Sequence, residues 1–140
     1  MIKNINHIAI IVPDLEGALD FWEGALGLTL ARTESVPSEA VDVAFLPVGE
    51  SNIELLKPTV ADTGVARFLE KRGPGIHHMC LEVDDIEATM DRLREHNIQL
   101  INEQPVEAPS DGAHGGRKYA FVHPKSTGGV LVELYQLSDE

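Results

Sequence analysis

The sequence predicts an α+β fold built from two tandem βαβββ modules, and three observations lead to this prediction. A motif of histidine, apolar strand residues, valine and aspartate occurs at residues 7–15 and again at 78–86, half the chain apart. An apolar-Glu-Leu motif then closes each half, at residues 53–55 and 132–134. Between these motifs, the apolar residues follow the periods of helices and strands in the same order. Such a repeat is typical of a duplicated structural unit.

The length and composition agree with one folded domain. The chain has 140 residues, of which 43% are hydrophobic, so it can bury an ordinary core. We therefore expect a single domain over residues 1–140. Its modules should span residues 1–58 and 76–137, joined by a linker at 59–75.

In the first module, the pattern predicts a strand at residues 7–12 and a helix that Asp14 caps and Gly27 ends. A second strand is predicted at residues 28–33. The remaining two, at 41–48 and 51–57, should form a hairpin around Gly-Glu at residues 49–50. The linker should carry a short helix at 65–71, ended by Gly-Pro-Gly.

The second module repeats this plan. We expect a strand at residues 77–83, a helix capped by Asp84 or Asp85 that runs to about His96, and a strand at 98–101. A long polar loop should follow at residues 102–116. The final strands are predicted at 119–122 and 130–136.

Charge and cysteine content limit the partners and the compartment. The formal net charge is −12, which argues against general nucleic-acid binding because phosphate neutralisation needs a basic surface. The single cysteine, Cys80, excludes an intrachain disulfide and fits a reducing compartment. The first apolar run, residues 8–12, is too short for a signal sequence or a membrane span. We therefore expect a cytoplasmic protein without a membrane partner.

Two histidines and two glutamates interrupt the apolar strands at equivalent positions of the repeat. They are His7 and Glu54 in the first half and His78 and Glu133 in the second. If the modules pack with pseudo-twofold symmetry, the four side chains converge. Two neutral imidazoles and two carboxylates balance a divalent cation, and imidazole suits Zn, Co, Ni, Mn or Fe. The rival to His78 is its neighbour His77, but the repeat aligns His78 with His7.

The chain resembles the vicinal oxygen chelate superfamily, which includes the glyoxalases and bleomycin-resistance proteins. Within it, the chain is similar to the methylmalonyl-CoA epimerase family over nearly its whole length. The segment at residues 123–134, His-Pro-Lys-Ser-Thr-Gly-Gly-Val-Leu-Val-Glu-Leu, is the most specific match. Further matching segments lie at residues 6–9, 52–56, 75–80 and 112–115. The resemblance implies a cupped mixed sheet around a metal site.

The resemblance also implies an activity. Such an enzyme interconverts the 2R and 2S forms of methylmalonyl-CoA, or of a close 2-alkylmalonyl-CoA, through an enolate that a divalent ion stabilises. By this match His7, Glu54, His78 and Glu133 would hold one Co, Mn, Ni or Zn ion. Inversion needs an acid/base group on each face of the substrate, and Glu133 is expected to be one of them.

The second acid/base group is where the chain departs from the family. The family usually has a glutamate directly after a proline, before the hairpin strand, where this chain has Ser38. Glu39 follows one residue later. A shift of one residue reverses the face of a strand side chain, so Glu39 fills the role only if this segment is a loop or bulge.

The resemblance implies further binding residues for an acyl-CoA substrate. Lys125, Ser126 and free amides near Gly128 and Gly129 would hold a CoA phosphate. A glycine-rich turn with a solvated lysine is an equally good interpretation of these residues. His114, in the Gly-Ala-His-Gly segment at residues 112–115, would either face the pocket or lie on the surface. A homodimer is expected by family analogy.

Two alternatives stay open on the sequence alone. One is a different enzyme on the same scaffold, such as a glyoxalase-like isomerase or a ring-cleaving dioxygenase. A dioxygenase site has two histidines and one carboxylate, so the fourth ligand-type residue, Glu54, argues against that enzyme. The other is a non-catalytic ligand-sequestering protein of the bleomycin-resistance type. The presence of all four metal-ligand residues argues against sequestration, whereas the altered segment at Ser38 and Glu39 favours it.

Overall fold

The structure, a computed structural model, describes residues 1–108 and 117–137. The chain forms two compact units. The N-terminal unit is His7–His77, and the C-terminal unit combines Met1–Asn6 with His78–Glu140.

The N-terminal unit has four strands in the order β2-β3-β4-β1. β1 is parallel to β4, and the other neighbours are antiparallel. Strand β1 (Ile2–Ile11) belongs to this unit from His7 onward. The other three strands are β2 (Arg32–Val36), β3 (Val41–Val48) and β4 (Ser51–Pro58). Helix α1 (Leu15–Leu19) continues directly as a π-helical segment (Asp20–Ala25). The unit also contains a 3-10 turn (Pro37–Glu39) and helix α2 (Gly64–Arg72).

Helix α1 begins where the sequence predicts it. The Asp14 carboxylate accepts a hydrogen bond of 2.9 Å from the Gly17 amide, which satisfies one of the donors left over at the first turn. The helix and the segment after it cover one face of the sheet. The core beneath it is formed by Val12, Ala44, Leu46 and Leu55, with Ile10, Leu15, Ala18, Leu19, Trp22, Leu28, Leu30 and Ile53 packed against them.

The C-terminal unit repeats this arrangement with the strand order β5-β8-β7-β6. β5 is parallel to β8, and the other pairs are antiparallel. Its strands are β5 (Gly75–Val83, from His78 onward), β6 (Val106–Glu107), β7 (Lys118–Val122) and β8 (Val132–Gln136). Its helices are α3 (Ile86–Glu95), which Asp85 caps, and a 3-10 turn (Pro124–Ser126). The core under α3 contains Val83, Ile86, Met90, Ala120, Val122 and Leu134.

The two units agree residue by residue in their strand register. Glu54 lies opposite Ala9 on one side and Phe45 on the other. Glu133 likewise lies opposite Cys80 and Phe121. The predicted α+β fold with two βαβββ modules is therefore confirmed, and the sequence repeat corresponds to a structural one. The predicted bounds of the modules and their union in one domain stay predictions.

One predicted strand, at residues 28–33, is displaced towards the C-terminus, and another, at 98–101, is wrong, for the same reason in both modules. Residues 28–31 precede β2, which begins only at Arg32, and residues 98–101 contribute no more than an isolated bridge from Leu100 to Val122. In both segments alternate apolar residues, such as Leu28 and Leu30, pack against the helix-covered core. The alternation of apolar and other residues in these segments therefore resembled the pattern of a strand. The short strand β6 lies instead in the segment predicted as a loop.

Within residues 1–108 and 117–137, no helix is long and apolar enough to cross a bilayer.

Candidate metal and active site

Each unit has a helix-covered sheet face and an opposite face, which we call the site face. In the N-terminal unit, the side chains of His7, Ala9 and Ile11 alternate away from the α1 core and lie on the site face. Glu54 of β4 also lies there, because its neighbour Leu55 belongs to that core. His7 Nδ1 is 3.1 Å from Glu54 Oε2.

The C-terminal unit builds the equivalent pair. His78 and Cys80 share the site face of β5, and Glu133 occupies it on β8 because Leu134 packs under α3. His78 Nε2 lies 3.0 Å from Glu133 Oε1. The Phe121 ring meets the His78 ring edge to face, with their centroids 5.6 Å apart.

Both pairs are buried, with 2% and 4% of His7 and Glu54 exposed and 8% and 7% of His78 and Glu133. A buried carboxylate carries a negative charge that is costly to desolvate unless a cation balances it. A divalent cation relieves that cost, and two of its ligands at right angles stand about 3 Å apart when each bond is about 2.1 Å. The donor types and the measured separations of both pairs therefore fit a metal ion.

His77 points to the opposite face from His78, since the two are neighbours on one strand. Its ring lies edge to face with Phe68 of α2, with their centroids 5.1 Å apart. In its own unit His77 thus packs against a helix, whereas His78 contacts a glutamate. This geometry supports the choice of His78 over His77 as the metal ligand.

Beyond the histidine-glutamate pair, the site faces differ. In the N-terminal unit, Ile11, Val43 and Leu56 continue the face and are buried. In the C-terminal unit the residues at the same register positions are polar: Glu82, Tyr119 and Tyr135. Glu82 is 9% exposed and accepts a hydrogen bond of 3.2 Å from Asn6 Nδ2.

Tyr135 has a cationic neighbour. Arg117 Nη1 donates a 2.9 Å hydrogen bond to the phenol oxygen, and the guanidinium carbon lies 5.4 Å from the ring centroid. Burial raises the pKa of Tyr135, and the hydrogen bond from Arg117 opposes that rise only in part. The phenol therefore stays protonated throughout the physiological range.

The segment before β3 is not a regular strand. Residues 37–39 form a 3-10 turn, and Ala40 follows in the left-handed region, with φ at 55° and ψ at 45°. Glu39 is exposed at the end of this turn. The condition stated for Glu39, a loop or bulge at this point, is therefore met, while its role as a base stays a prediction.

The turn between β7 and β8 corrects part of the predicted phosphate site. The Gly129 amide donates to the Pro124 carbonyl at 2.9 Å, so it is not free for a phosphate. Ser126 Oγ accepts from the Gln99 amide at 2.9 Å, and the Lys125 side chain is exposed. Gly128 and Gly129, with φ at 80° and 109°, serve the backbone path of the turn. His114 lies outside the described residues.

Residues 6–121 match the sequence profile of the glyoxalase/bleomycin resistance protein/dioxygenase superfamily. The mitochondrial methylmalonyl-CoA epimerase of Homo sapiens is 41% identical over 133 residues, covering 94% of this chain and 73% of the human one. The ethylmalonyl-CoA/methylmalonyl-CoA epimerase of Cereibacter sphaeroides is 41% identical over 138 residues, covering 98% and 100%. The chain belongs to the methylmalonyl-CoA epimerase family.

A solved structure of a family member agrees with this assignment. A variant of the Streptomyces coelicolor methylmalonyl-CoA epimerase, in complex with 2-nitronate-propionyl-CoA, superposes with a TM-score of 0.84 and 28% identity. The match covers 99% of this chain and 100% of that one. The predicted family, fold and enzyme class, an isomerase of the epimerase type, are thereby confirmed.

Sequence reasoning missed five residues of the C-terminal site face: Cys80, Glu82, Tyr119, Tyr135 and Arg117. The repeat contained the signal for three of them. Aligned on the histidines, Cys80 and Glu82 stand where the first half has Ala9 and Ile11. When the two halves are aligned on Glu54 and Glu133, Tyr135 of the second half corresponds to Leu56 of the first. No comparable signal existed for Arg117, because it precedes β7.

Proposed function

We propose that the chain interconverts the 2R and 2S forms of methylmalonyl-CoA, or of a close 2-alkylmalonyl-CoA, by removing the α-proton and returning it to the opposite face. The observation that carries this proposal is the pair of buried histidine-glutamate contacts at equivalent register positions in a chain of the epimerase family. A sequestering protein has no need for two such pairs.

The proposal includes one divalent ion, Co, Mn, Ni or Zn, held by His7, Glu54, His78 and Glu133. When bound, such an ion acts as a Lewis acid for the negative charge that develops on the thioester oxygen as the α-proton leaves. The fit of each pair to a metal supports this assignment. The resemblance of the two pairs supports a shared role.

The chain's own carboxylates move the proton. Glu133 takes the α-proton on one face of the substrate carbon and becomes a carboxylic acid. Glu39, protonated at the start, gives its proton to the other face and becomes a carboxylate. Before the next turnover in the same direction, Glu133 releases a proton to water and Glu39 takes one up, so protons balance in each turnover. The 3-10 turn at residues 37–39 supports Glu39, since it frees this side chain from strand alternation.

Binding of the CoA moiety falls to the turn between β7 and β8. We assign the exposed Lys125 ammonium, with the Ser126 hydroxyl and the Gly128 amide, to a CoA phosphate. Gly129 contributes backbone shape and no donor, because its amide already binds Pro124. In a chain of net charge −12, a cation at this turn lowers local repulsion of the anionic ligand.

The test is exchange of the α-deuteron from labelled methylmalonyl-CoA, followed by mass spectrometry. We expect loss of the deuteron with Co or Mn present, its retention after chelation, and recovery when the ion returns. Ethylmalonyl-CoA, run in parallel, measures the tolerance for the alkyl group. Retention of the deuteron in both substrates, with metal bound, contradicts the proposal. Tight binding without exchange indicates sequestration instead.

A further inference from the structure

The connection between β7 and β8 is longer than the shared scaffold requires. In the N-terminal unit, residues 49–50 close the equivalent hairpin, because β3 ends at Val48 and β4 begins at Ser51. In the C-terminal unit β7 ends at Val122 and β8 begins at Val132, so residues 123–131 take their place. Ordering the additional residues costs conformational entropy that a two-residue hairpin avoids. The longer turn therefore has a role besides joining two strands.

Two side chains of this turn bind its own backbone. At its start, Nδ1 of His123 accepts a hydrogen bond of 3.0 Å from the Lys125 amide. Further along, the Thr127 hydroxyl accepts a hydrogen bond of 2.9 Å from the Val130 amide and lies 3.2 Å from the Pro124 carbonyl oxygen. Each side chain satisfies a backbone donor that no strand or helix pairs. His123 and Thr127 thus fix both ends of the turn.

Almost every other amide of the turn is engaged as well. The amides that donate to backbone carbonyls, at 2.9–3.1 Å, are those of His123, Ser126, Thr127 and Gly129. In the part of the chain that the structure describes, the Gly128 amide is the one N–H of residues 123–130 without an acceptor. Gly128 is also exposed, so its N–H is accessible to a ligand.

The wiring of the turn leaves two donors directed at solvent. Lys125 is held through its backbone amide by His123, while its side chain is exposed. The second donor is the Gly128 amide. An ammonium and a backbone N–H are both donors that phosphate oxygens accept, and the cation makes the hydrogen bond stronger. A turn that is ordered before the ligand arrives also lowers the entropic cost of binding.

We propose that His123 and Thr127 are positioning residues for the CoA moiety, because they hold the turn in the form that presents Lys125 and Gly128 to a phosphate. This inference rests on the proposed function and deepens it. His123 acts as the tautomer with its proton on Nε2, since Nδ1 must be an acceptor for the Lys125 amide. Neither side chain touches the reacting atoms, so their loss affects binding and leaves the chemical step unchanged.

Calorimetric titration with CoA measures the effect. His123→Ala removes the acceptor and lowers the fraction of turns in the binding geometry, so the Kd for CoA should rise about five- to tenfold. Thr127→Val keeps the shape of the side chain without its hydroxyl and should weaken binding similarly. His123→Asn keeps an acceptor at the same position and should restore most of the affinity. In all three variants kcat for deuteron exchange should stay within about twofold.

A matched control and two further ligands make the result specific to phosphate. His96 also bonds the backbone through Nδ1, 2.8 Å from the Arg92 carbonyl oxygen, but at the end of α3. His96→Ala should leave CoA affinity unchanged. Pantetheine, which has no phosphate, should bind all variants equally. With 3′-dephospho-CoA, a persisting effect of His123→Ala assigns the diphosphate to the turn, and a vanished effect assigns the 3′-phosphate.

Nuclear magnetic resonance tests the geometry without relying on activity. The ¹⁵N shifts of the His123 ring should report a proton on Nε2, and a proton on Nδ1 contradicts the proposed contact. The Gly128 amide resonance should move on addition of CoA and stay in place with pantetheine. These measurements use the unmodified chain, so they decide the question even if His123→Ala fails to fold. Urea unfolding identifies any variant that is destabilised.

The outcomes separate this inference from the proposed function. If the unmodified chain binds CoA through the turn but exchanges no deuteron, the proposed function fails and the positioning role stands. If folded His123→Ala and Thr127→Val bind CoA as tightly as the unmodified chain, the positioning role is wrong while the proposed function stands. Equal losses of CoA and pantetheine binding in these variants show that the turn does not recognise phosphate, which also overturns the inference.

Discussion

The N-terminal and C-terminal units have the same strand order, the same register and the same histidine-glutamate contact, yet their site faces carry different chemistry. Around His7 and Glu54 the face is apolar, with Ala9 and Ile11 fully buried. Around His78 and Glu133 it carries a thiol, a carboxylate, two phenols and a guanidinium. The difference teaches that the duplicated scaffold fixes the two histidine-glutamate pairs, whereas it leaves the residues around each pair free to differ in polarity and charge.

The first prediction asks whether the two glutamates are equivalent. Glu133→Gln should lower kcat by about a thousandfold, because an amide ligates but cannot take a proton. Glu54→Gln, measured at saturating metal, should keep turnover within about tenfold of the unmodified chain, since only ligation is affected. Deuteron exchange gives the rate, and atomic absorption gives the metal content. Equal losses in both variants, at equal metal content, contradict a special role for Glu133.

The second prediction concerns Glu39, which belongs to the N-terminal unit but lies outside its strands. Glu39→Gln should reduce epimerisation by about a hundredfold or more while leaving the metal content intact, because a proton donor is lost and no ligand is. Glu34→Gln is the matched control, since this carboxylate is paired with Arg32 at 2.7 Å on β2.

A companion variant sharpens the assignment of Glu39. Ser38→Glu combined with Glu39→Ala places the carboxylate at the family's usual position, and partial recovery of the rate would show that position limits the reaction. Near-normal turnover in Glu39→Gln shows instead that a different group supplies the second proton.

The third prediction separates two neighbouring histidines on β5. His78→Ala should lower metal affinity by about a hundredfold, because one ligand of the proposed site is removed. His77→Ala should change affinity by less than about threefold, because its ring packs against Phe68 on the other face. Competition with a chelating dye measures both. The reverse ranking means that the repeat was aligned on the wrong histidine.

The parts of the fold that the sequence predicted are those fixed by caps and by the repeat. Asp14 and Asp85 cap helices where expected, and β3 spans the predicted residues 41–48. The register of Glu54 and Glu133 follows from the repeat as well. The two misplaced strands share a cause: Leu30 and Leu100 belong to segments that pack under a helix, and their alternation carries no information about ladder hydrogen bonds.

The sequence also predicted part of the candidate site and missed part of it. Its four proposed ligands stand out because histidine and glutamate recur in apolar strands. Tyr135 was missed although the repeat aligns it with Leu56, because a tyrosine in a strand is ordinary until its contact with Arg117 is known. The occupied amide of Gly129 was equally hidden, because turn hydrogen bonding depends on backbone angles that the residue types alone leave open.

The last and smallest prediction tests the backbone that positions Glu39. Ala40 has a positive φ of 55°, which costs an L-residue roughly 1–2 kcal/mol. Glycine avoids that cost but loses about 0.5–1 kcal/mol through the greater freedom of its unfolded chain. Ala40→Gly should therefore raise the free energy of unfolding by about 0.5–1 kcal/mol in urea titrations.

Ala44→Gly, in the buried part of β3, is the control and should lower that free energy by about 1 kcal/mol, because no strain is relieved there. If Glu39 is the second base, Ala40→Gly should also reduce kcat a few-fold, since a looser turn holds the carboxylate less firmly in reach of the substrate. A stabilised variant with unchanged kcat would show that the left-handed residue serves the entry into β3 and does not orient Glu39.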